Sequence, residues 1–206
     1  MLTVSKTAVL NMEGAIRGAR NPMNSWAKSD SYTDENGVFH MGSEDIKLGH
    51  RLAAAGSDHR KFLRQIFVSA DICAPIYWWK EFDTYKVGTV ANSTSTMHKI
   101  HAKKFSEEDF STDHLTDSGK AALKHMLEYL EERRVFFNET KDKSAWYDII
   151  SLLPSGYEQT RTVSMNYENL INIYYARKDH KLEEWHLFCD WIKTLPLADE
   201  FILIKD

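Results

Sequence analysis

The chain has 206 residues, of which 43% are apolar and 27% charged, and this is the composition of a folded globular protein. A net charge of -4 gives no general attraction to nucleic acid or to anionic membranes, so neither is an expected partner. Only two cysteines are present and no apolar run approaches the ~20 residues of a membrane span, which favours a reducing cytoplasm over secretion. No signal peptide is visible and no linker divides the chain, so we expect one domain over residues 1–206.

The first half of the chain is predicted to alternate between strands, turns and short helices. Residues 3–10 and 66–73 carry strand patterns, whereas residues 17–26 and 30–37 carry the Gly, Asn and Pro signals of loops. Apolar residues at helical spacing predict a helix over residues 43–56, followed by a short helical turn at 60–64. Pro75 suits the first position of another helix, which is predicted to run to Lys86 and to end at Gly88.

The second half is predicted to be mostly helical. An acidic connector over residues 106–116 precedes a helix that Asp117 or Ser118 caps. Further helices are predicted at 145–152, 167–176 and 182–195, with one short strand at 161–165. More helix than sheet, without a repeating strand–helix alternation, predicts the α+β class.

Common catalytic and metal-binding motifs are absent or weak. The sequence has no glycine-rich phosphate loop and no cysteine pairs with zinc spacing. His98 and His101 lie three residues apart, but no acidic or cysteine partner is placed to complete a metal site, so no metal is predicted. Tyr85-Lys86 could act as an acid–base pair, although the dinucleotide-binding context of such pairs is missing.

Residues 87–96 form a run of small, hydroxyl-rich residues, VGTVANSTST, after an aromatic-rich segment. Two interpretations stay open for this run. It is either a plain loop or a place where backbone and hydroxyl groups approach a ligand.

The order of several motifs resembles the flavin-dependent thymidylate synthases. His59 precedes a strand that ends in Pro75-Ile76, an aromatic-rich helix follows, and the small run stands where the family has the signature R-H-R-x-x-S-x-N-E-x-S-x-R-Y. Leu153-Pro154 and a helix with Asn166, Asn172 and Arg177 come later, as in the family's second conserved block. The resemblance implies the family's α+β fold, with a small mixed or antiparallel sheet, several packed helices and a homotetrameric assembly.

The resemblance also implies roles for individual residues. His59, Asn166, Asn172 and Arg177 fall on flavin-binding positions, and Glu81, Thr89, Asn92 and Thr96 fall on nucleotide-binding positions. Thr94 replaces the serine near the reactive carbon of the nucleotide, and Tyr85 and Lys86 fall within the Arg-His-Arg of the signature. These three are the candidate catalytic residues. The implied cofactor is FAD, while NADPH and methylenetetrahydrofolate are implied only if the family's activity is retained.

The chain departs from the family where the family uses arginine. Thr84, Thr96 and Glu168 stand at three arginine positions, and none of them can supply a guanidinium. Each lost charge-assisted hydrogen bond costs about 1.5–3 kcal/mol. Whether nucleotide methylation is retained, altered or lost therefore stays open. The alternative is a non-catalytic nucleotide-binding or oligomeric interaction protein on the same scaffold, in which Tyr77, Trp78 and Trp79 fill the old pocket.

Overall fold

A computed structural model describes residues 1–204 and shows a mixed helical and stranded chain. The six strands are β1 (Thr3–Leu10), β2 (Tyr32–Thr33), β3 (Phe39–His40), β4 (Phe67–Pro75), β5 (Val90–Ser93) and β6 (Glu158–Asn166). The eight α-helices are α1 (Met12–Ala19), α2 (Ser43–Ala54), α3 (Ile76–Phe82), α4 (Asp117–Thr140), α5 (Lys143–Leu152), α6 (Tyr167–Arg177), α7 (Glu183–Lys193) and α8 (Ala198–Phe201). A 3₁₀ helix at Arg60–Gln65 precedes β4. The predicted α+β class is confirmed.

The strands form one four-stranded sheet and one small hairpin. The four-stranded sheet has the order β1-β4-β6-β5, which leaves β1 and β5 at its edges. β4 alternates between buried and more exposed residues, with Val68, Ala70, Ile72 and Ala74 buried, as the two-residue period of a strand requires. β2 and β3 pair antiparallel, with Tyr32 opposite His40.

The chain divides into two compact units. The first comprises residues 1–3, 72–84 and 92–162, and the second comprises residues 4–71, 85–91 and 163–206. In the first unit, α4 and α5 pack on a core of Ile100, Phe105, Phe110, Leu130 and Ile149. Both helices begin at side-chain caps, because Thr116 accepts from Gly119 N and Asp142 accepts from Ser144 N.

The second unit has a buried ion pair and a tightly packed helix crossing. Arg20 Nε donates to Asp45 Oδ1 over 2.5 Å, and both side chains are buried. Gly49 in α2 lies against α8, since a Cβ atom at this position would stand 2.5 Å from the Phe201 ring. Burial also raises the pKa of the Tyr167 phenol, whose hydroxyl donates to Pro196 O over 2.7 Å. These contacts join the N-terminal helices of the unit to its C-terminal segment.

Two predicted boundaries differ from the structure for local reasons. α1 continues to Ala19, although residues 17–26 were predicted as loop, because a single Gly18 does not break a helix that buries Ala15 and Ile16. α3 ends at Phe82 instead of continuing to Lys86. The Thr84 backbone and hydroxyl both donate to Glu81 O, at 3.1 and 2.7 Å, and this turn replaces the next helical hydrogen bond.

Among residues 1–204, no helix is both long and apolar enough to cross a membrane.

Candidate functional site

The site residues predicted from the sequence are distributed over both units, and each group is described by itself. The first unit holds four of them: Glu81, Asn92, Thr94 and Thr96. The second unit holds the other seven: His59, Tyr85, Lys86, Thr89, Asn166, Asn172 and Arg177.

In the second unit, the loop after α3 is hydrogen-bonded to residues near both ends of helix α6. Arg177 Nε donates to Tyr85 Oη over 2.8 Å, and the guanidinium lies 4.6 Å from the centre of the Trp185 ring. The Thr89 hydroxyl donates to Tyr85 O, and Asn169 Nδ2 donates to Val87 O over 2.6 Å. Of the predicted catalytic and flavin-binding residues, Tyr85 and Arg177 are therefore brought into direct contact. Both are partly buried in that arrangement.

Asn166 is the N-cap residue of α6. Its side chain accepts from Asn169 N over 3.0 Å, and the Asn169 side chain accepts from Asn166 N over 3.1 Å, which is a reciprocal capping box. Gly88 lies against this cap with φ of 76°, a conformation that favours glycine. A Cβ atom at Gly88 would stand 2.9 Å from Asn166 Nδ2. This asparagine therefore shapes the loop and the helix end.

Glu168, at a position where the family resemblance implies an arginine, lies between two arginines of the 3₁₀ helix. Arg60 Nε stands 3.3 Å from Glu168 Oε1, and Arg64 binds both carboxylate oxygens in a fork. Burial raises the pKa of Glu168, but the hydrogen bonds and charges of Arg64 and Arg60 outweigh it and hold the pKa below its usual range. The negative charge is thus compensated within the second unit, and the cluster carries a net positive charge.

Three predicted site residues of the second unit have exposed side chains. His59 lies just before the 3₁₀ helix, Lys86 lies in the loop, and Asn172 lies on the outer face of α6. Their donors face solvent, so a ligand can reach them without rearrangement of the core.

In the first unit, α3 buries one aromatic face and anchors a cationic side chain. Trp78, Trp79 and Phe82 are buried, and their rings are within 5.3 Å of one another, centre to centre. Arg161 of β6 lies over the Trp79 ring at 4.2 Å and donates to Asp83 over 2.7 Å.

Thr94 is held through its backbone in the first unit. Its N–H donates to Thr160 O over 2.9 Å, and its carbonyl accepts from Gln159 Nε2 over 2.6 Å. Gln159 is buried and also accepts from Arg161 Nε over 3.0 Å. The small-residue run is thus neither a plain loop nor an enclosed cradle. It contains the exposed edge strand β5, and Asn92 and Thr94 present their side chains at the surface.

Thr96 lines a cleft of about 390 Å³ that α3 and the end of α5 also border. Lys80, Ser151 and Ser155 contribute polar groups to this cleft, and Ile76 and Leu153 contribute apolar surface. One ammonium group, three hydroxyls and an apolar wall suit a small polar molecule with a flat face. Glu81, one residue after Lys80, is partly buried in α3.

Several site-forming residues were not found from the sequence. Lys80 stands beside Glu81 in the same helix, so its position in the chain could have drawn attention to it. Gln159 and Arg161 had no such signal, because only strand pairing places them beside Thr94. The pairing of Arg60 and Arg64 with Glu168 joins residues more than 100 positions apart.

Across residues 1–204, no group of three or more His, Cys, Asp or Glu side chains is arranged to hold a metal ion.

Comparison with known proteins identifies the fold. No protein-family model and no curated protein matches the sequence. Solved structures do match along nearly the whole chain. A flavin-dependent thymidylate synthase, ThyX, from Helicobacter pylori, complexed with FAD and dUMP, is 19% identical with a TM-score of 0.70, and 98% of each chain is covered. The chain has the fold of the flavin-dependent thymidylate synthases.

Two further structures support the same assignment of fold. A second structure of ThyX from Helicobacter pylori, with FAD and dUMP, is 18% identical with a TM-score of 0.71, covering 100% of this chain and 98% of that one. A UMP/dUMP methylase, PolB, from Streptomyces cacaoi, bound with 5-Br dUMP, is 12% identical with a TM-score of 0.62, covering 98% and 95%. At these identities the likeness shows the thymidylate synthase fold, while the activity depends on the site itself.

The contact between Tyr85 and Arg177 gives a first test. Tyr85→Phe removes the phenolic acceptor and leaves a partly buried guanidinium short of one partner, so the free energy of unfolding should fall by about 1–2 kcal/mol. Urea denaturation followed by circular dichroism measures this. Tyr129→Phe is the matched control, because its hydroxyl makes an exposed 3.3 Å bond to Asp148. Equal stability of Tyr85→Phe and wild-type protein would show that the contact contributes nothing.

Proposed function

We propose that the protein binds FAD and a pyrimidine nucleotide on a scaffold like that of the flavin-dependent thymidylate synthases, with nucleotide methylation altered or lost. The full-length fold similarity to structures complexed with FAD and dUMP carries this proposal. The site residues of each unit support it in different ways. The protein is also proposed to assemble as a homo-oligomer, with a tetramer favoured by the family resemblance.

The proposed flavin site has contacting residues and supporting residues. His59 and Asn172 have exposed side chains that can donate hydrogen bonds to a flavin. Asn166 and Arg177 are engaged by Asn169 and Tyr85, so they would shape the surface on which the flavin lies. FAD, when bound, would carry the electrons of a reductive reaction.

The proposed nucleotide site is the cleft that Thr96 and Lys80 line. Its single ammonium group and its hydroxyls can hold a phosphate and a sugar, and its apolar wall can hold a pyrimidine ring. Four arginines of the family signature and second block are replaced here, one of them by Lys86, so a nucleotide monophosphate should bind more weakly than to a site that grips phosphate with guanidinium forks.

The candidate catalytic groups favour altered or lost chemistry. Tyr85 Oη accepts a hydrogen bond from Arg177, and Lys86 is exposed in the loop beside it. Thr94 retains a hydroxyl where the resemblance implies the serine, and backbone hydrogen bonds on both sides fix its position. NADPH and methylenetetrahydrofolate are proposed as further ligands only if methylation is retained.

A non-catalytic nucleotide-binding protein is the second candidate. The observation that favours it is the Tyr85–Arg177 contact, because a candidate catalytic group and a candidate flavin-binding group are bonded to each other. Trp78 and Trp79 are fully buried, which fits the idea that aromatic side chains occupy space near the nucleotide-binding helix.

Flavin uptake tests the proposal directly. The purified full-length chain should be yellow or should take up FAD with the absorption bands of a bound flavin. His59→Ala should lower the affinity for FAD about tenfold, since it removes one hydrogen bond to the cofactor. His125→Ala, an exposed histidine in α4, is the matched control and should change nothing. A colourless protein that takes up no FAD at micromolar concentrations would contradict the proposed flavin binding.

Nucleotide binding and turnover separate the two candidates. Binding of dUMP, measured by calorimetry with and without FAD, should weaken in Lys80→Ala. Thymidylate formed from dUMP in the presence of FAD, NADPH and methylenetetrahydrofolate would establish catalysis. Binding of dUMP without FAD dependence and without product would support the non-catalytic alternative.

A further inference from the structure

A second polar cleft lies in the first unit where α4 ends and α5 begins. It encloses about 540 Å³, and four basic side chains line it: His98, His101, Lys141 and Lys143. None of the four takes part in the proposed flavin or nucleotide sites. The cleft is thus locally basic, although the chain has a net charge of -4.

One wall of this basic cleft is aromatic. The Trp146 and Tyr147 rings meet edge to face with centres 5.0 Å apart. Trp146 Nε1 donates to Met97 O over 3.1 Å, which fixes the indole, while the Tyr147 side chain is 58% exposed. An exposed ring beside an immobilised one provides a surface on which a planar ligand can stack.

The opposite side of the cleft is held in place by α4. The His101 ring centre lies 4.9 Å from the Phe137 ring centre. The backbone carbonyl of His101 accepts hydrogen bonds from Arg134 Nη1 at 3.3 Å and from Asn138 Nδ2 at 3.1 Å. Its Nδ1 atom is buried without a hydrogen-bond partner among the described residues. Buried ring nitrogens are normally bonded, so this atom has the capacity for one further hydrogen bond.

Both lysines occupy positions that local structure does not favour. Lys141 caps the C-terminus of α4 with φ of 61°, a conformation that glycine adopts without steric cost. Lys143 is the first residue of α5, where the helix dipole disfavours a positive charge. Asp142 lies between them, but its carboxylate accepts from Ser144 N and Oγ, both at 2.8 Å, and thereby caps α5.

A bound anion would explain the placement of Lys143, whereas the C-terminal end of α4 already favours the positive charge of Lys141. Lys141 Nζ lies over the Phe137 ring, 5.5 Å from its centre, and both residues line the cleft. The two ammonium groups can neutralise the negative charge of one or two phosphate groups, and the imidazoles can donate hydrogen bonds to the phosphate oxygens. The exposed tyrosine ring can stack on a planar ring of the ligand.

We propose that the basic cleft binds an organic phosphate that carries a planar ring. This site is separate from the proposed nucleotide site, which has Lys80 as its cation, although Met97 borders both clefts. The proposal therefore does not depend on whether the protein binds FAD or dUMP.

Titration calorimetry with ADP, adenosine and inorganic pyrophosphate tests the proposal on the full-length protein. ADP should bind saturably, with an affinity that falls as salt rises, and both fragments should bind at least about tenfold more weakly. Lys141→Gly should weaken ADP binding about tenfold without loss of thermal stability, because glycine suits the left-handed cap. Lys141→Gly combined with Lys143→Ala should weaken it about a hundredfold.

Control variants decide among the remaining outcomes. Lys120→Ala, on the exposed side of α4, should leave ADP binding unchanged. Unchanged ADP binding in the double lysine variant, or no saturable binding at millimolar ADP, would overturn the proposal. Tighter binding of a single-stranded oligonucleotide than of ADP, with a steeper salt dependence, would overturn it in favour of nucleic acid.

Discussion

Asp45→Ala is expected to lower the free energy of unfolding by about 3–5 kcal/mol, because it leaves a buried guanidinium without its counter-charge. Arg20 and Asp45 are 5% and 0% exposed, and the carboxylate also accepts hydrogen bonds from Ser29 and Ser31, both at 2.5 Å. Urea denaturation measures the effect. Few other substitutions in the second unit remove a charge, an ion pair and three hydrogen bonds together.

Two controls separate the loss of charge from the loss of volume. Arg20→Met combined with Asp45→Leu removes both charges and should recover part of the lost stability, since well-packed apolar residues can replace a buried ion pair. Glu44→Ala breaks the exposed pair with Lys47 and should cost less than about 1 kcal/mol. A loss below about 1 kcal/mol for Asp45→Ala would show that the buried pair contributes little.

The pH dependence of the same variant follows from the ionisation of Asp45. Burial raises the pKa of Asp45, but the hydrogen bonds from Ser29, Ser31 and Arg20 together lower it by more, so the pKa lies below its usual range. A carboxyl whose pKa is lower in the folded state stabilises the protein above its unfolded pKa of about 3.9. This contribution is lost as pH falls through the folded value. The stability difference between wild-type protein and Asp45→Ala should therefore narrow below about pH 4.

Glu168→Arg is expected to lower the free energy of unfolding by about 2–4 kcal/mol, because it removes a partly buried ion pair and crowds three guanidinium groups. The Glu168 and Arg60 side chains are 12% and 17% exposed, so solvent screens them only in part. Arg64 is about half exposed and can turn away, which keeps the expected loss below that of Asp45→Ala. Chemical denaturation again provides the measurement.

A charge reversal tests the origin of this effect. Arg64→Glu combined with Glu168→Arg restores one opposite-charge pair and should recover about half of the loss. Asp190→Arg, at an exposed pair with Lys193, is the matched control and should change stability by less than about 1 kcal/mol. No recovery in the double variant would indicate that shape, and not charge, causes the loss. The family resemblance implies an arginine at this helical position, whereas here the guanidinium groups come from the 3₁₀ helix.

Periodicity predicted most of the regular structure because the segments concerned bury one face. The predicted strand at 66–73 corresponds to β4, which begins one residue later and ends two residues later, and the predicted helix at 167–176 corresponds to α6, which ends one residue later. Both segments carry apolar residues at the spacing of their secondary structure, so local pattern and tertiary packing agree. β5 was not predicted, since all of its residues are exposed and backbone pairing alone maintains it.

The candidate site was predictable only as a set of positions. The resemblance located Tyr85, Thr94 and Arg177 in the chain, but it did not indicate that Tyr85 would bind Arg177. That contact joins residues 92 positions apart, and it required the loop after α3 to fold against α6. The two clefts could not be predicted from the sequence either, because their lining residues come from segments that have no common sequence pattern.

The sequence by itself determined the α+β class, most helix and strand positions and the absence of arginine from four positions where the resemblance implies it. These features depend on local spacing and residue type, which are readable along the chain. Only the tertiary structure decided that Glu168 is neutralised by Arg60 and Arg64, that the small-residue run contains an edge strand, and that two lysines border a basic cleft. Each of these depends on segments far apart in sequence, because charge compensation, strand pairing and cleft formation are set by distances in space.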